Sequence, residues 1–364
     1  MSVFDHHEFN AHEQVVHLHD RDTGLQAIIA VHNTTRGPAL GGCRMWPYAS
    51  ADEALADVLR LSRAMTYKSA LAELPFGGGK SVILGDPARD KTPALMLAMG
   101  RAVDSLGGRY VAAEDSGTSV ADLGRMSSVT KHVVGIARVS GWDDRERDGD
   151  PSPATAYGCF VGIQVAVAER LSLGSLSGVR VAIQGVGNVG RHLAELLDNA
   201  GAKLIVSDIN AEHTRFAAER FGAKVVAAES IFDAQVDVFA PCAMGAIVND
   251  DTVGRLNASI VAGSANNQLA QDRHGDALAE RGILYAPDYA INAGGIIDVA
   301  SEYAGYDPHL VRERLDGIGD TLRAIFAQSS KTGMSPHRVA DQLAEQRLRG
   351  HRTGTLVVHP RHAA

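Results

Sequence analysis

Val179-Arg180-Val181-Ala182-Ile183-Gln184-Gly185-Val186-Gly187-Asn188-Val189-Gly190 is the stretch that decides the fold. Its first half is an apolar run of strand length, and its second half is a G-x-G-x-x-G. Glycine-rich loops are common, so the flanks must carry the reading. After the loop, Val189, Leu193, Leu196, Leu197 and Ala200 fall on one face of a helix that Gly201 stops. The next strand, Lys203-Leu204-Ile205-Val206-Ser207, ends at Asp208, roughly 20 residues on. Strand, glycine loop, helix, strand and acid in this order form a dinucleotide-binding unit. Gly185 makes the turn, Gly187 admits a pyrophosphate to the backbone, and Gly190 lets helix and strand pack closely. The helix start at Asn188 offers backbone amides and a partial positive charge to phosphates. Val186 and Val189 complete the loop. Asp208 is expected to bond the adenine ribose hydroxyls and repel a 2′-phosphate, which favours NAD over NADP.

Later apolar runs at 224–226, 236–240 and 259–263 repeat the strand–helix alternation, so a doubly wound parallel sheet is expected. Upstream, Pro151-Ser152-Pro153 punctuates the chain before a helix from about Ala154 to Arg170, which places a boundary near 150. The 364 residues suffice for two domains at about 150 residues each. Residues 13–33 read as two alternating strands joined at Asp22-Thr23-Gly24. Ser50-Ala51-Asp52-Glu53 opens a helix through about Met65, and Tyr110-Val111-Ala112-Ala113 is a further strand.

Two lysines bracket a glycine-rich segment in this first half, in Tyr67-Lys68-Ser69 and Phe76-Gly77-Gly78-Gly79-Lys80-Ser81. Two ammonium groups held close would bind a carboxylate and lower each other's pKa, which suits proton chemistry near neutrality. A phosphate-binding loop is excluded, because Leu74 stands where its first glycine belongs and a strand-like Val82-Ile83-Leu84 follows Lys80. The triple glycine is therefore expected to turn the backbone tightly and let it approach something closely. Asp115, just past the strand at 110–113, is a carboxylate that could face the lysines, or else a helix N-cap or loop acid.

Hydrophobic residues make up 45% and charged residues 21%, an ordinary globular composition, and the net charge of −8 argues against general nucleic-acid or anionic-membrane binding. No apolar run approaches the ~20 residues of a membrane span, and the N-terminus lacks the basic-then-apolar pattern of a signal peptide. Cys43, Cys159 and Cys242 are few, odd in number and far apart, as expected of buried free thiols in a reducing cytoplasm. The histidines at 6, 7, 12, 17 and 19 are read as part of a mobile terminus rather than as a metal site, and the charged run at 142–149 as a solvated loop.

These motifs together resemble the amino-acid dehydrogenases of the glutamate/leucine/phenylalanine/valine family, most closely its leucine dehydrogenase members. The carriers are Gly37-Pro38-Ala39-Leu40-Gly41-Gly42, Met65-Thr66-Tyr67-Lys68, Gly77-Gly78-Gly79-Lys80, Ala113-Glu114-Asp115, Thr155-Ala156-Tyr157-Gly158, Gly263-Ser264-Ala265-Asn266-Asn267-Gln268 and Asn292-Ala293-Gly294-Gly295. The resemblance runs from about residue 12 to 350. It implies an α/β chain of two domains with a cleft between them. Residues 1–150 would hold substrate, 151–329 would form a Rossmann-like NAD domain, and helices over about 330–364 would pack back on the first.

By the same resemblance Lys68 binds the substrate carboxylate, Lys80 activates water and polarises the keto oxygen, and Asp115 exchanges protons with the amine. Thr155 and Asn266 position nicotinamide and substrate. Leu40, Gly41, Ala113, Val134, Ile296 and Val299 line the side-chain pocket, and Met65 joins the substrate-binding set. The implied reaction is NAD-dependent, reversible oxidative deamination of a branched-chain L-amino acid to the 2-oxo acid and ammonia, in a cytoplasmic homo-oligomer. The same chemistry on an aromatic amino acid, and a non-catalytic NAD-binding protein, are the alternatives. Departures from the family pattern are Cys43 for threonine, Ser116 for valine, Val134 for threonine and a longer loop at 142–150. They bear on the preferred amino acid rather than on the reaction class.

Overall fold

The computed structural model describes residues 2–243 and 245–350, and the chain divides into two units. Among the described residues the first comprises residues 2–150, Asp298–Arg312 and residues 344–350; the second comprises Pro151–Ile297 and Glu313–Leu343. This differs from the expected division at 329/330. Residues 298–306 are anchored to the first unit by Arg147, as described below. Ser335 and Arg338 are held in the second unit by Asp276, at 2.7 and 2.6 Å. Residues 351–364 lie outside the described residues.

In the first unit the elements are β1 (Gln14–Asp20), β2 (Leu25–Asn33), β3 (Ala39–Trp46), α1 (Ala51–Leu71), β4 (Gly77–Leu84), α2 (Pro93–Asp104), β5 (Tyr110–Glu114) and α3 (Val120–Ser127). The sheet order is β1-β2-β4-β3-β5, antiparallel along β1-β2-β4 and parallel for β3 with β4 and β5. Strand alternation explains the layers. Ile28 and Ala30 of β2 pack with Ala54, Val58 and Leu59 of α1, while Leu25, Ala27, Ile29 and Val31 pack with Leu95, Met96 and Met99 of α2 and with Leu123 and Met126 of α3.

Two local expectations need correction. Helix α1 does not stop near Met65 but continues to Leu71, because no glycine or proline intervenes before Glu73 turns at φ +54° ahead of Pro75. Lys68 therefore sits in its last turn. The triple glycine is not a turn either. Gly77, Gly78 and Gly79 are the first three residues of β4, none with positive φ. A Cβ on Gly77 would overlap the carbonyl of Asn33, and one on Gly78 would overlap the backbone and Oγ1 of Thr66. The glycines let α1 and β2 lie directly against the strand that carries Lys80.

The second unit contains α4 (Ser152–Leu171), β6 (Arg180–Gln184), α5 (Asn188–Asn199), β7 (Lys203–Ser207), α6 (Ala211–Phe221), β8 (Lys224–Val225), β9 (Val238–Pro241), β10 (Ile260–Val261), α7 (Asp272–Glu280), β11 (Leu284–Tyr285) and α8 (Asp288–Ile291). Its six strands are all parallel in the order β11-β10-β9-β6-β7-β8. That is the doubly wound order in which the crevice lies beyond the carboxyl ends of the strands, where the winding reverses between β6 and β9. The helices α9 (Gly294–Tyr303), α10 (Pro308–Thr332) and α11 (Pro336–Gly350) are the last elements of the described residues, and the division between units passes through all three.

Among the described residues no helix is long and apolar enough to cross a membrane. The N-terminal histidines do not all belong to a mobile terminus. His12 is buried, with Nε2 3.0 Å from both the Leu59 carbonyl and Ser62 Oγ, and its ring lies edge-on to His32.

Candidate active site

Strand β4 presents Lys80, buried to 5% exposure, and the turn after β5 presents Asp115; Nζ and Oδ2 are 2.8 Å apart. The turn is fixed independently of the ion pair. Thr118 Oγ1 accepts the Asp115 amide at 3.1 Å and donates to the Cys43 carbonyl at 2.9 Å, while Gly117, at φ +82°, sits where a Cβ would overlap the Met45 carbonyl. Helix α3 is capped by Ser119, so Asp115 is not its N-cap.

Arg44 of β3 completes the cluster, with Nε 3.0 Å from the same Asp115 Oδ2. Its Nη1 reaches Asp57 of α1 at 2.8 Å, and Asp57 also accepts from the Tyr48 hydroxyl at 2.7 Å. Burial alone would raise the Asp115 carboxyl, but Lys80 and then Arg44 outweigh it and hold it below the ordinary carboxylate value. Its neighbour Glu114 has no such pairing: burial, then the charges of Asp150 and Asp115, push it up to about 7. Asp115 is thus an ionised acceptor whose cationic partners meet Oδ2, leaving Oδ1 the less engaged oxygen.

Beside this cluster the chain keeps its backbone close. A Cβ on Gly42 would stand 2.7 Å from Asp115 Cβ and 3.0 Å from Lys80 Nζ. A Cβ on Gly41 would overlap the Gly79 carbonyl and come within 3.4 Å of Met65 Cγ. The buried Tyr110 hydroxyl donates to the Gly41 carbonyl at 2.8 Å and lies 3.0 Å from Ser81 Oγ. Leu40, Ala113, Val134 and Val299 are all buried, and neighbouring elements carry them. Leu40 pairs with Val111 across β3 and β5, the Val134 amide donates to the Ala112 carbonyl at 2.9 Å, and Val299 lies next to Gly135. Lys68 is half-buried on α1, whose C-terminal carbonyls are held by Arg347 of α11, Nη1 donating to the Leu71 carbonyl at 2.6 Å.

In the second unit the residues present fit a dinucleotide. Gly185, at φ +94°, turns the chain between β6 and α5. A Cβ on Gly187 would meet nothing within 4 Å, and one on Gly190 would overlap the Gly185 carbonyl. Gly187 is the N-cap of α5 and supplies no side-chain acceptor, so the first-turn amides around Asn188 and Val189 have no side-chain cap. Asp208 Oδ2 accepts the Val186 amide at 2.8 Å and Oδ1 the Asn210 amide at 2.8 Å, so this acid also fastens the glycine loop. Thr155 lies in the first turn of α4 with its hydroxyl on the Pro151 carbonyl, 2.9 Å. Asn266 is exposed after β10, and Asn292 Nδ2 donates to its Oδ1 at 2.8 Å. Ile296 is buried in α9.

Comparison with known proteins decides the family. Residues 12–132 match the model of the Glu/Leu/Phe/Val dehydrogenase dimerisation domain, and residues 150–212 and 206–337 match that of the Glutamate/Leucine/Phenylalanine/Valine dehydrogenase domain. The chain is 49% identical over 348 residues to a leucine dehydrogenase of Thermoactinomyces intermedius, covering 96% of this chain and 94% of that one. The chain belongs to the Glu/Leu/Phe/Val dehydrogenase family. It is accordingly an amino-acid dehydrogenase with a nicotinamide cofactor. A phenylalanine dehydrogenase of Bacillus thermotolerans is 44% identical over 347 residues, covering 94% of this chain and 90% of that one. The crystal structure of L-tryptophan dehydrogenase from Nostoc punctiforme superposes with a TM-score of 0.80 at 44% identity, covering 94% of this chain and 97% of that one.

Within this family member, sequence reasoning missed Arg44, Gly42 and Asp57. The signal for the first two was readable, because Gly42 and Arg44 are two apart on a strand and share a face. Asp57 was not, since nothing in α1 says that it reaches β3. Cys43, where the family pattern has threonine, is buried, and burial pushes its thiol up to about 11; Cys159 is buried and Cys242 half-buried, and all three are free.

Proposed function

We propose that this enzyme catalyses the NAD-dependent, reversible oxidative deamination of branched-chain aliphatic L-amino acids, leucine foremost, to the 2-oxo acid and ammonia. The observation that carries the reading is the Lys80–Asp115 pair at 2.8 Å, with Arg44 on the same carboxylate. Lys68 holds the substrate carboxylate. Asp115 takes a proton from the substrate ammonium, so that a neutral amine is left on the α-carbon. A dinucleotide held at the glycine loop by its pyrophosphate would supply the nicotinamide as hydride acceptor. Lys80 then takes a proton from the water that attacks the imino carbon, Asp115 returns its proton to the departing nitrogen, and as ammonia leaves the carbinolamine hydroxyl gives its proton to the ionised Asp115, which leaves the 2-oxo acid.

The preferred side chain follows from the pocket positions. Leu40, Gly41, Ala113, Val134, Ile296 and Val299 carry no charge, which disfavours glutamate, and Ile296 and Val299 favour a branched aliphatic chain over a ring. One methylene is worth only about 1–3 kcal/mol in such a pocket, so leucine, valine and isoleucine should all react. Asp208, at the end of β7, favours NAD over NADP by repelling a 2′-phosphate. The dimerisation-domain match supports a homo-oligomer, and the absence of a membrane-crossing helix among the described residues is compatible with the cytoplasm.

The test is NADH formation at alkaline pH with leucine, valine, isoleucine and phenylalanine, run with NAD and NADP in parallel. Highest kcat/KM with leucine and NAD supports the reading. Highest kcat/KM with phenylalanine replaces it by the aromatic alternative. Light scattering gives the size of the oligomer.

A further inference from the structure

Residues 142–150 take no part in the chemistry above, and their composition reads as a solvated loop. Arg147 nevertheless lies buried in it. Its Nε and Nη2 donate to Asp298 Oδ2 at 2.9 and 2.6 Å, and its Nη1 donates to Glu302 Oε1 at 2.6 Å. The Tyr306 hydroxyl donates to Asp298 Oδ1 at 2.7 Å, and the guanidinium stacks over the Tyr306 ring at 4.6 Å. The other oxygen of Glu302, Oε2, accepts the backbone amides of Gly135, Ile136 and Ala137 at 2.7, 3.1 and 3.3 Å. The chain leaves the first unit after Asp150 and re-enters it at Asp298, so Arg147 fastens the exit to the re-entry.

Two of the pocket positions flank these contacts. Val134 immediately precedes the three amides held by Glu302, and Val299 immediately follows Asp298. The loop also packs onto the same segment, since a Cβ on Gly149 would overlap the Gly135 carbonyl. We propose that Arg147 is a positioning residue for substrate specificity: by holding Asp298 and Glu302 together it sets the spacing of Val134 and Val299, and so the width of the side-chain pocket. The inference rests on the pocket assignment of the previous section. It separates the side-chain end of the substrate, which Arg147 governs, from the carboxylate and amine, which Lys68, Lys80 and Asp115 serve.

The experiment compares wild type with Arg147→Met, Arg147→Lys and Glu302→Gln. It measures kcat and KM for leucine, valine and phenylalanine, NADH binding by fluorescence, and Tm. Arg147→Met is expected to lower the leucine-to-phenylalanine ratio of kcat/KM about ten-fold through KM, the scale of a small change in pocket fit. Its kcat should stay within about two-fold and its NADH affinity unchanged, because neither chemistry nor cofactor is touched. Arg147→Lys should recover part of the ratio, and Glu302→Gln, which keeps an acceptor for the three amides, should show a smaller shift in the same direction. An unchanged ratio in the folded variants, with activity falling only as Tm falls, overturns the proposal and leaves a structural staple. If Arg147→Met does not fold, the other two variants decide by the same ratio. If wild type prefers some other amino acid, the substrate reading has failed by itself, and the ratio is read against that amino acid instead.

Discussion

At Asp115 two cations converge on one carboxylate oxygen and leave the other less engaged, whereas at Arg147 all three guanidinium nitrogens are occupied by carboxylates. The side chains of the first cluster are 7% exposed at Lys80, 23% at Arg44 and 21% at Asp115; those of the second are 7% at Arg147, 3% at Asp298 and 6% at Glu302. Both clusters lie in the first unit and use the same chemical groups. They differ in spare valence and in access. An ion pair with a less engaged oxygen and a route to solvent can still take a proton or a substrate. A saturated one can only hold the chain in place. The protonation of the two aspartates diverges accordingly. Lys80 and Arg44 overcome burial and keep Asp115 low, while burial, opposed by Arg147 but assisted by Glu302, carries Asp298 above its ordinary value.

The strongest way to break this contrast is Lys80→Ala. If the open cluster is the proton machinery, kcat should fall about 10³-fold, within the range general acid–base groups supply. Turnover equal to wild type would mean that Lys80, like Arg147, takes no part in the proton transfers. The counterpart is the stability of Arg147→Met. Removing one partner from a buried cluster leaves uncompensated charge and costs about 3–5 kcal/mol, read by urea unfolding of the oligomer at fixed protein concentration. A loss under about 1 kcal/mol would mean that water already reaches the clamp.

These clusters also show how far the sequence could be read. The glycine loop, its flanking strand and Asp208 announced the second unit because that motif is local: turn, helix start and acid lie within one βαβ unit. Lys80 and Asp115 were found for the same reason, each adjoining a recognisable strand. Arg147 looked like one more charge in a polar run, since its partners Asp298 and Glu302 are 151 and 155 positions away. Burial of a charge through contacts that distant leaves no periodicity to detect. The triple glycine was half legible: close approach holds, while the expected turn is a strand. Glycine serves close approach as well as turning, and only the surrounding backbone of Asn33 and Thr66 tells which.

Arg44→Gln sharpens the contrast at the open cluster. With one of two cations gone, Asp115 loses part of what opposes its burial, so its pKa should rise. The acidic limb of the kcat/KM profile should then move to higher pH, with a rate loss of about ten-fold, below that of removing Lys80 itself. An unmoved limb would mean that Arg44 only braces β3 against α1 through Asp57.

The smallest expected effect, and the finest discriminator, is the acid dependence of stability. Both carboxyls have an ordinary value of 3.8. Asp115 folds with a lowered pKa, so its contribution is present above 3.8 and is lost as pH falls through its folded value. Asp298 folds with a raised pKa, so its ionised form costs stability near neutrality, and that cost disappears as pH falls through its folded value towards 3.8. The two slopes have opposite sign and lie on opposite sides of 3.8. Asp115→Asn should therefore flatten the acid-side loss below that pH, while Asp298→Asn should remove a rise in stability above it, each read as the difference from wild type in urea midpoints across the acid range. Same-signed slope changes in both variants would show that the two clusters are electrostatically alike, and the separation of roles drawn from their geometry would fail.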